Sequence, residues 1–300
     1  MTSTAFGATK TATVNGTTLA YREQGDGEPV VFVHGALSDL RTWQQQLSPI
    51  GASYRAITYS RRYARPNKDI ERGADDQMLP HVDDLAAFLQ ALDAPPAHLV
   101  GNSWGGFISL LTAIRYPKLV RSLVLEEPPV VPLVGVSFPP RPSEVLSLLF
   151  RRPRFALALA KGGARAFGQV EKAFRRGDDE TAVQMFGSAA LGKEPYRQLP
   201  EARKQQMREN VNTLRAMLLG AGFPPLSEEE VRGVSVPTLL ITGEQSPAGA
   251  ILLTDRLEEL LPVVERVEIS AASHLMHEEN ASAVNEAIVG FLRRRSDRPM

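Results

Sequence analysis

The stretch AHLVGNSWGGFISLLTAIRYP, running from Ala97 to Pro117, constrains the architecture more than any other part of the chain. A short apolar run enters a glycine-rich hexapeptide, GNSWGG, and leaves it as a segment with helical apolar spacing. Gly101 and Gly105 stand two positions either side of Ser103. Small residues at those places let a strand and a helix pass each other closely, so G-x-S-x-G in this context describes a sharp strand-to-helix turn with a serine at its apex. The helix that follows turns N–H groups without intrahelical acceptors toward an anion forming beside the serine oxygen. A phosphate-binding loop does not fit, because the Lys-Ser/Thr pair is missing and GNSWGG is not G-x-G-x-x-G.

The rhythm around this turn predicts the fold class. TTLAYREQ, PVVFVHG, YRAITYS, AHLVGNS and VRSLVLEEPP read as strands. HVDDLAAFLQALD places Val82, Leu85, Phe88, Leu89 and Leu92 on one helical face. Strands separated by helices imply an α/β fold, with a mostly parallel sheet flanked by helices on both sides. From 131 to 233 no buried strand is evident, only helical patterns broken by Pro and Gly; the strand rhythm resumes at PTLLITG and VERVEIS and closes with SAVNEAIVGFLRRR. The expected organisation is a core in two parts, 1–130 and 234–300, with a helical lid over 131–233 inserted after the sixth strand.

Bulk properties exclude several classes. Lys plus Arg equals Asp plus Glu at 34 each, which leaves no electrostatic footprint for nucleic acid. No cysteine is present, which removes disulfides, thiolate catalysis and Cys-based zinc sites. The start, MTSTAFGATKTATVNG, lacks a basic segment followed by an apolar one, and no apolar run approaches the roughly 20 residues of a membrane span. These features give the expectation of a cytoplasmic protein without stable membrane association.

In order along the chain, FVHGA, YSRRY, VGNSWGG, LVLEEPP, PTLLITG and ASHLMHEENASAVNEAIVGFL resemble the motifs of the α/β-hydrolase superfamily, in its capped form. The resemblance implies that Ser103 is the nucleophile. It implies an oxyanion hole made by the N–H groups of Trp104 and Ala36, with Gly35 letting backbone approach the substrate oxygen and His34 bracing the loop. Trp104 also borders the substrate, its side chain either filling the core or walling the acyl pocket. Among five histidines, His274 lies between the last strand and the last helix, where the family keeps its base, and neutral imidazole suits that task. His277 is expected as a solvated or capping residue, and His81 and His98 as structural ones.

The acid departs from the usual pattern. In GEQSP the third residue after Gly243 is Ser246, where most members carry Asp. Haloalkane dehalogenases and hydrolases of resorcylic lactones instead carry a carboxylate after the sixth strand, and LVLEEPP supplies Glu126 and Glu127 there, the latter 24 residues past Ser103. Adjacent side chains of an extended segment point opposite ways, so one of the two can face His274. Glu127 precedes Pro128, which favours an extended backbone, and is the preferred acid; Glu126 and Glu244 stay open as alternatives.

The resemblance implies a serine hydrolase acting on a small, largely apolar carboxylic ester or lactone, without metal or organic cofactor, as a monomer or homodimer. Carbon–carbon bond hydrolysis of a ring-cleavage diketone and a slow small-molecule sensor are the alternatives. Arg61 and Arg62 are read as loop braces. A basic and aromatic run in the insertion, including Arg151, Arg152, Arg154, Lys161, Arg165, Phe150, Phe155 and Phe167, is read as an amphipathic lid surface.

Overall fold

The computed structural model describes residues 7–71, 73–137, 141–158 and 164–296. Lys161 and the side chains of Arg165 and Phe167 lie outside what is described. The strands are β1 (Lys10–Val14), β2 (Thr17–Gln24), β3 (Pro29–Val33), β4 (Arg55–Tyr59), β5 (Ala97–Asn102), β6 (Val120–Glu126), β7 (Thr238–Gly243) and β8 (Val264–Ile269). They form one sheet in the order β1-β2-β4-β3-β5-β6-β7-β8, antiparallel at β1, β2 and the β2–β4 junction and parallel from β4 onward. β1 is an addition to the expected strands. KTATV buries only Val14 and sits at the sheet edge, so its apolar signal is weak.

The helices of the core are α1 (Gln44–Gly51), α2 (Met78–Ala91) and α3 (Trp104–Arg115). Between β6 and β7 come α4 (Pro142–Arg151), α5 (Pro153–Ala158), α6 (Ala164–Arg175), α7 (Asp179–Leu191), α8 (Lys193–Gln198), α9 (Glu201–Glu209), α10 (Val211–Leu219) and α11 (Glu228–Arg232). Then α12 (Ala248–Leu260), α13 (Met276–Glu279) and α14 (Ala281–Ser296) alternate with the last strands. Local chemistry sets several of these ends. Asp178 accepts from the Thr181 N–H to start α7, and Ser227 with Glu230 forms a reciprocal capping box at α11. Among the described residues no helix is long and apolar enough to cross a membrane.

Period-two alternation sends successive residues of the central strands to opposite faces. Val31, Val33 and Leu99 join a cluster with α2 and α3, whereas Val30, Phe32 and Val100 join one with α1 and α14. All six are fully buried, each contributing roughly 1.5–3 kcal/mol by leaving water. The sheet centre is therefore clamped from both sides, and its carboxyl edge is a rigid platform. The register Gly101↔Leu125 and Asn102↔Glu126 makes β5 and β6 end together, so the two motifs GNSWGG and LVLEEPP emerge side by side.

Between β6 and β7, Leu146, Leu149 and Phe150 of α4 are exposed beside Arg151 while Leu148 is buried, so apolar side chains of this helix meet solvent as well as the core.

Candidate active site

Ser103 sits between β5 and α3 with φ 51° and ψ −120°, a backbone conformation rare for a residue with a side chain. Packing enforces it. A Cβ on Gly101 would come within 2.5 Å of the Gly105 carbonyl oxygen, and one on Gly105 within 2.1 Å of that of Val33. The Ser103 N–H donates to the Glu126 carbonyl at 2.8 Å, tying the turn to the end of β6. The Ser103 carbonyl accepts from the Phe107 N–H at 3.0 Å, which begins the helix ladder.

The neighbouring glutamates reach different histidines. Glu127 Oε2 accepts from His274 Nδ1 at 2.6 Å, and its Oε1 accepts from the Gly243 N–H at 2.9 Å. A carboxylate on Nδ1 puts the proton there and leaves Nε2 as the acceptor nitrogen. Asn102 Nδ2 donates to the His274 carbonyl at 3.0 Å and steadies that loop. Glu126 Oε2 accepts from His277 Nδ1 at 2.7 Å. The two glutamates thus reach different histidines, but not by strand alternation, because the extended backbone expected for Glu127 is absent. β6 ends at Glu126, and Glu127 has φ 46°, in the left-handed region. The side-chain bonds to His274 and Gly243 outweigh the local preference imposed by Pro128.

The expectation for His277 is also corrected. Instead of being solvated, His277 is fully buried, stacked on Trp43 with centroids 4.1 Å apart, and its Nε2 lies 3.0 Å from Thr42 Oγ1. Its burial depends on Trp43 and Thr42, far away in the chain, so its place in the one-turn helix α13 carried no sign of it. Glu244 is exposed and accepts from the Ala271 N–H at 2.8 Å, away from both histidines. Ser246 closes the turn after β7, its N–H donating to the Gly243 carbonyl at 3.1 Å.

The loop after β3 is braced from the core. His34 Nδ1 donates to the Gly35 carbonyl at 2.9 Å, and its Nε2 accepts from the Arg61 N–H at 2.9 Å. Burial pushes the His34 pKa well below its ordinary value, and the Arg61 charge adds to this, so the ring is neutral. The Arg61 guanidinium donates to the His34 and Gly35 carbonyls at 3.0 and 3.1 Å, while Arg62 pairs with Asp84 at 2.6 Å. Both arginines brace loops, as read from sequence. A Cβ on Gly35 would lie 2.8 Å from Asn102 Oδ1 and 3.3 Å from Ser103 Cβ, so glycine is what lets this loop touch the serine turn.

A cavity of about 40 Å³ lies over these groups. Ala36, Ser103 and His274 line it from below, and Phe186, Leu191, Arg203 and Met207 from the insertion. A water needs roughly 10–15 Å³ by this measure, so the enclosed part of the space has room for a few waters. Trp104 is the first residue of α3 and its N–H has no acceptor within the helix. Its side chain is buried, with its ring 5.1 Å from that of Phe223.

Two polar residues of the cavity lining, Asn102 and Arg203, carry no clear mark in the sequence. Asn102 sits inside the serine motif at a strand end, a position whose neighbours depend on the adjacent loops. Arg203 belongs to α9, where Arg203 and Gln206 share a face with Asn210 just past the helix end; that spacing was the only available signal, and it resembles any solvated helix.

Among known proteins, 2-(acetamidomethylene)succinate hydrolase of Mesorhizobium japonicum is 26% identical over 287 residues, covering 92% of this chain and 91% of its own. A Mycobacterium tuberculosis protein carrying the name non-heme bromoperoxidase BpoC is 38% identical over 109 residues. That match covers 36% of this chain and 40% of the relative, less than half its length. The solved structure of a thermophilic esterase from Thermogutta terrifontis superposes with a TM-score of 0.73 at 21% identity, covering 97% of this chain and 99% of that one, a likeness of fold. The sequence model described as the alpha/beta hydrolase fold matches residues 28–281, from the residue before β3 to the first of α14. The chain belongs to the alpha/beta hydrolase fold family.

Proposed function

We propose that this protein is a serine hydrolase that cleaves a carboxylic ester or lactone of a small, largely apolar substrate through an acyl-enzyme. The observation that carries the reading is the 2.6 Å contact of His274 Nδ1 with Glu127, on a histidine that shares its cavity with Ser103 at the apex of a strained turn. Ser103 Oγ attacks the substrate carbonyl while His274 Nε2 takes its proton. The tetrahedral anion is held by the N–H groups of Trp104 and Ala36, and its collapse expels the alcohol, which receives the proton from His274. Water, activated by the same imidazole, then releases the acid and frees Ser103. Glu127 orients the ring and stabilises its charged form. The apolar roof of Phe186, Leu191 and Met207 favours an apolar acyl or alcohol group. The helical segment between β6 and β7 acts as a lid, because Phe186, Leu191, Arg203 and Met207 line the cavity opposite Ser103 and His274.

Short-chain p-nitrophenyl esters and a panel of lactones test the reading with wild type and Ser103→Ala. Steady turnover that falls by about 10⁴-fold or more in the variant supports it, since the residual rate then comes from the oxyanion hole and binding without a nucleophile. Wild-type turnover that survives Ser103→Ala, or no turnover of any ester or lactone, overturns it. A burst of Ser103 labelling without steady hydrolysis would point to a sensor instead.

A further inference from the structure

The loop carrying Ala36 is held by two arginines on opposite sides. Arg61 belongs to the core and grips the His34 and Gly35 carbonyls. Arg203 belongs to α9 of the insertion, and its Nη1 donates to the Leu37 carbonyl at 3.0 Å. Leu37 has φ 51° although its side chain is large and buried. A bulky residue stays in the left-handed region only where its surroundings over-determine it. Part of those surroundings comes from α9 and its C-terminal Asn210, alongside Arg41, whose guanidinium grips both Asp39 oxygens at 2.9 and 2.7 Å. Gln206 Nε2 donates to Asp39 Oδ1 at 2.8 Å, and Asn210 Nδ2 donates to Asp39 Oδ2 at 2.8 Å. Asp39 is fully buried two residues after Leu37. The Arg203 charge is matched by Glu278 of α13, with Nε 2.9 and 3.0 Å from the two carboxylate oxygens. Thr42 in turn donates to Glu278, and its oxygen meets His277. One buried arginine therefore joins the insertion, the loop after β3 and the segment after His274.

We propose that Arg203 is a positioning residue that shapes the Ala36 side of the oxyanion hole, with Gln206 assisting through Asp39. It acts through Leu37: Arg61 and His34 hold the Gly35 carbonyl, and with it the peptide that carries the Ala36 N–H, while the Arg203 bond to the Leu37 carbonyl anchors the other end of the same short loop and keeps that peptide from tilting. The hole is complete only while α9 is docked, so seating of the insertion and readiness for chemistry are one event. This rests on the serine-hydrolase reading above.

The test uses the whole protein, p-nitrophenyl acetate as substrate and a trifluoromethyl ketone as reversible inhibitor, whose adduct places an oxyanion in the same hole. Arg203→Met should lower kcat by about 10²-fold and Gln206→Leu by about 10-fold, with KM within about 3-fold, because the bonds to the oxyanion are made in the transition state. Inhibitor affinity should fall by the same factors as kcat, and Arg203→Lys should restore part of both. A merely structural role would shift the thermal midpoint without that parallel. Wild-type kcat in both variants, or a raised KM with unchanged inhibitor affinity, overturns the proposal. Should Arg203→Met fail to fold, Gln206→Leu decides by the same criteria. Wild-type turnover that survives both substitutions sinks this proposal alone, whereas a wild type without turnover sinks the hydrolase reading and this proposal together.

Discussion

Two glutamate–histidine pairs stand on consecutive residues of one strand end, at nearly the same distance, 2.7 Å for Glu126–His277 and 2.6 Å for Glu127–His274. Their surroundings differ. His277 has both ring nitrogens engaged within the protein, by Glu126 and Thr42, and a tryptophan covers its face. His274 has one nitrogen engaged by Glu127 and lines the cavity it shares with Ser103. The chemistry of the pair is identical; the difference is whether a nitrogen is left for a substrate. The sealed pair, by contrast, joins the end of β6 to the segment before α1 and to α13, which is a structural task.

The largest effect that sharpens this contrast belongs to Glu127→Gln. It should lower kcat on a p-nitrophenyl ester by about 10³–10⁴-fold, because the ring loses the carboxylate that sets its tautomer and stabilises its charge. The circular dichroism melt should change little, since Gln retains an acceptor for the Gly243 N–H. Glu126→Gln should do the reverse, keeping kcat within about 5-fold while lowering urea-derived stability by about 1–3 kcal/mol, the usual cost of upsetting a buried hydrogen bond. Equal rate losses in the two variants would break the comparison.

The smallest effect concerns pH. Burial lowers the pKa of His34 and of His98, so both are held neutral in the folded chain. The unfolded chain takes up protons near the ordinary value of 6.5 while the folded one does not. The stability they support is therefore present above pH 6.5 and is lost as pH falls from there toward the lower folded values. The urea midpoint should drop between pH 7.5 and 5.5, and His98→Asn should make that drop shallower. An unchanged slope in the variant would remove His98 from the account.

Much of this could be read without coordinates. Gly101, Ser103 and Gly105 required a sharp turn because no larger side chain fits there, and the structure shows the carbonyls that forbid one. Strand alternation and helix periodicity announced the sheet, and the silence of strand signals from 131 to 233 announced the helical segment. The local elements that failed did so for tertiary reasons. β1 carries little apolar pattern because an edge strand covers little core. The extended backbone expected before Pro128 gives way because two side-chain bonds hold Glu127 in the left-handed region.

By itself, then, the sequence determined the fold class, the sharp serine turn, the place of His274 between the last strand and the last helix, and three candidate carboxylates, Glu127, Glu126 and Glu244. These depend on short-range sterics and on the two periodicities, which act over a few residues. Only the tertiary structure decided which glutamate faces which histidine, that His277 is buried under Trp43, and that Arg203 reaches the loop carrying Ala36. Each of those joins residues more than a hundred positions apart, and such pairings depend on how elements pack rather than on any local preference.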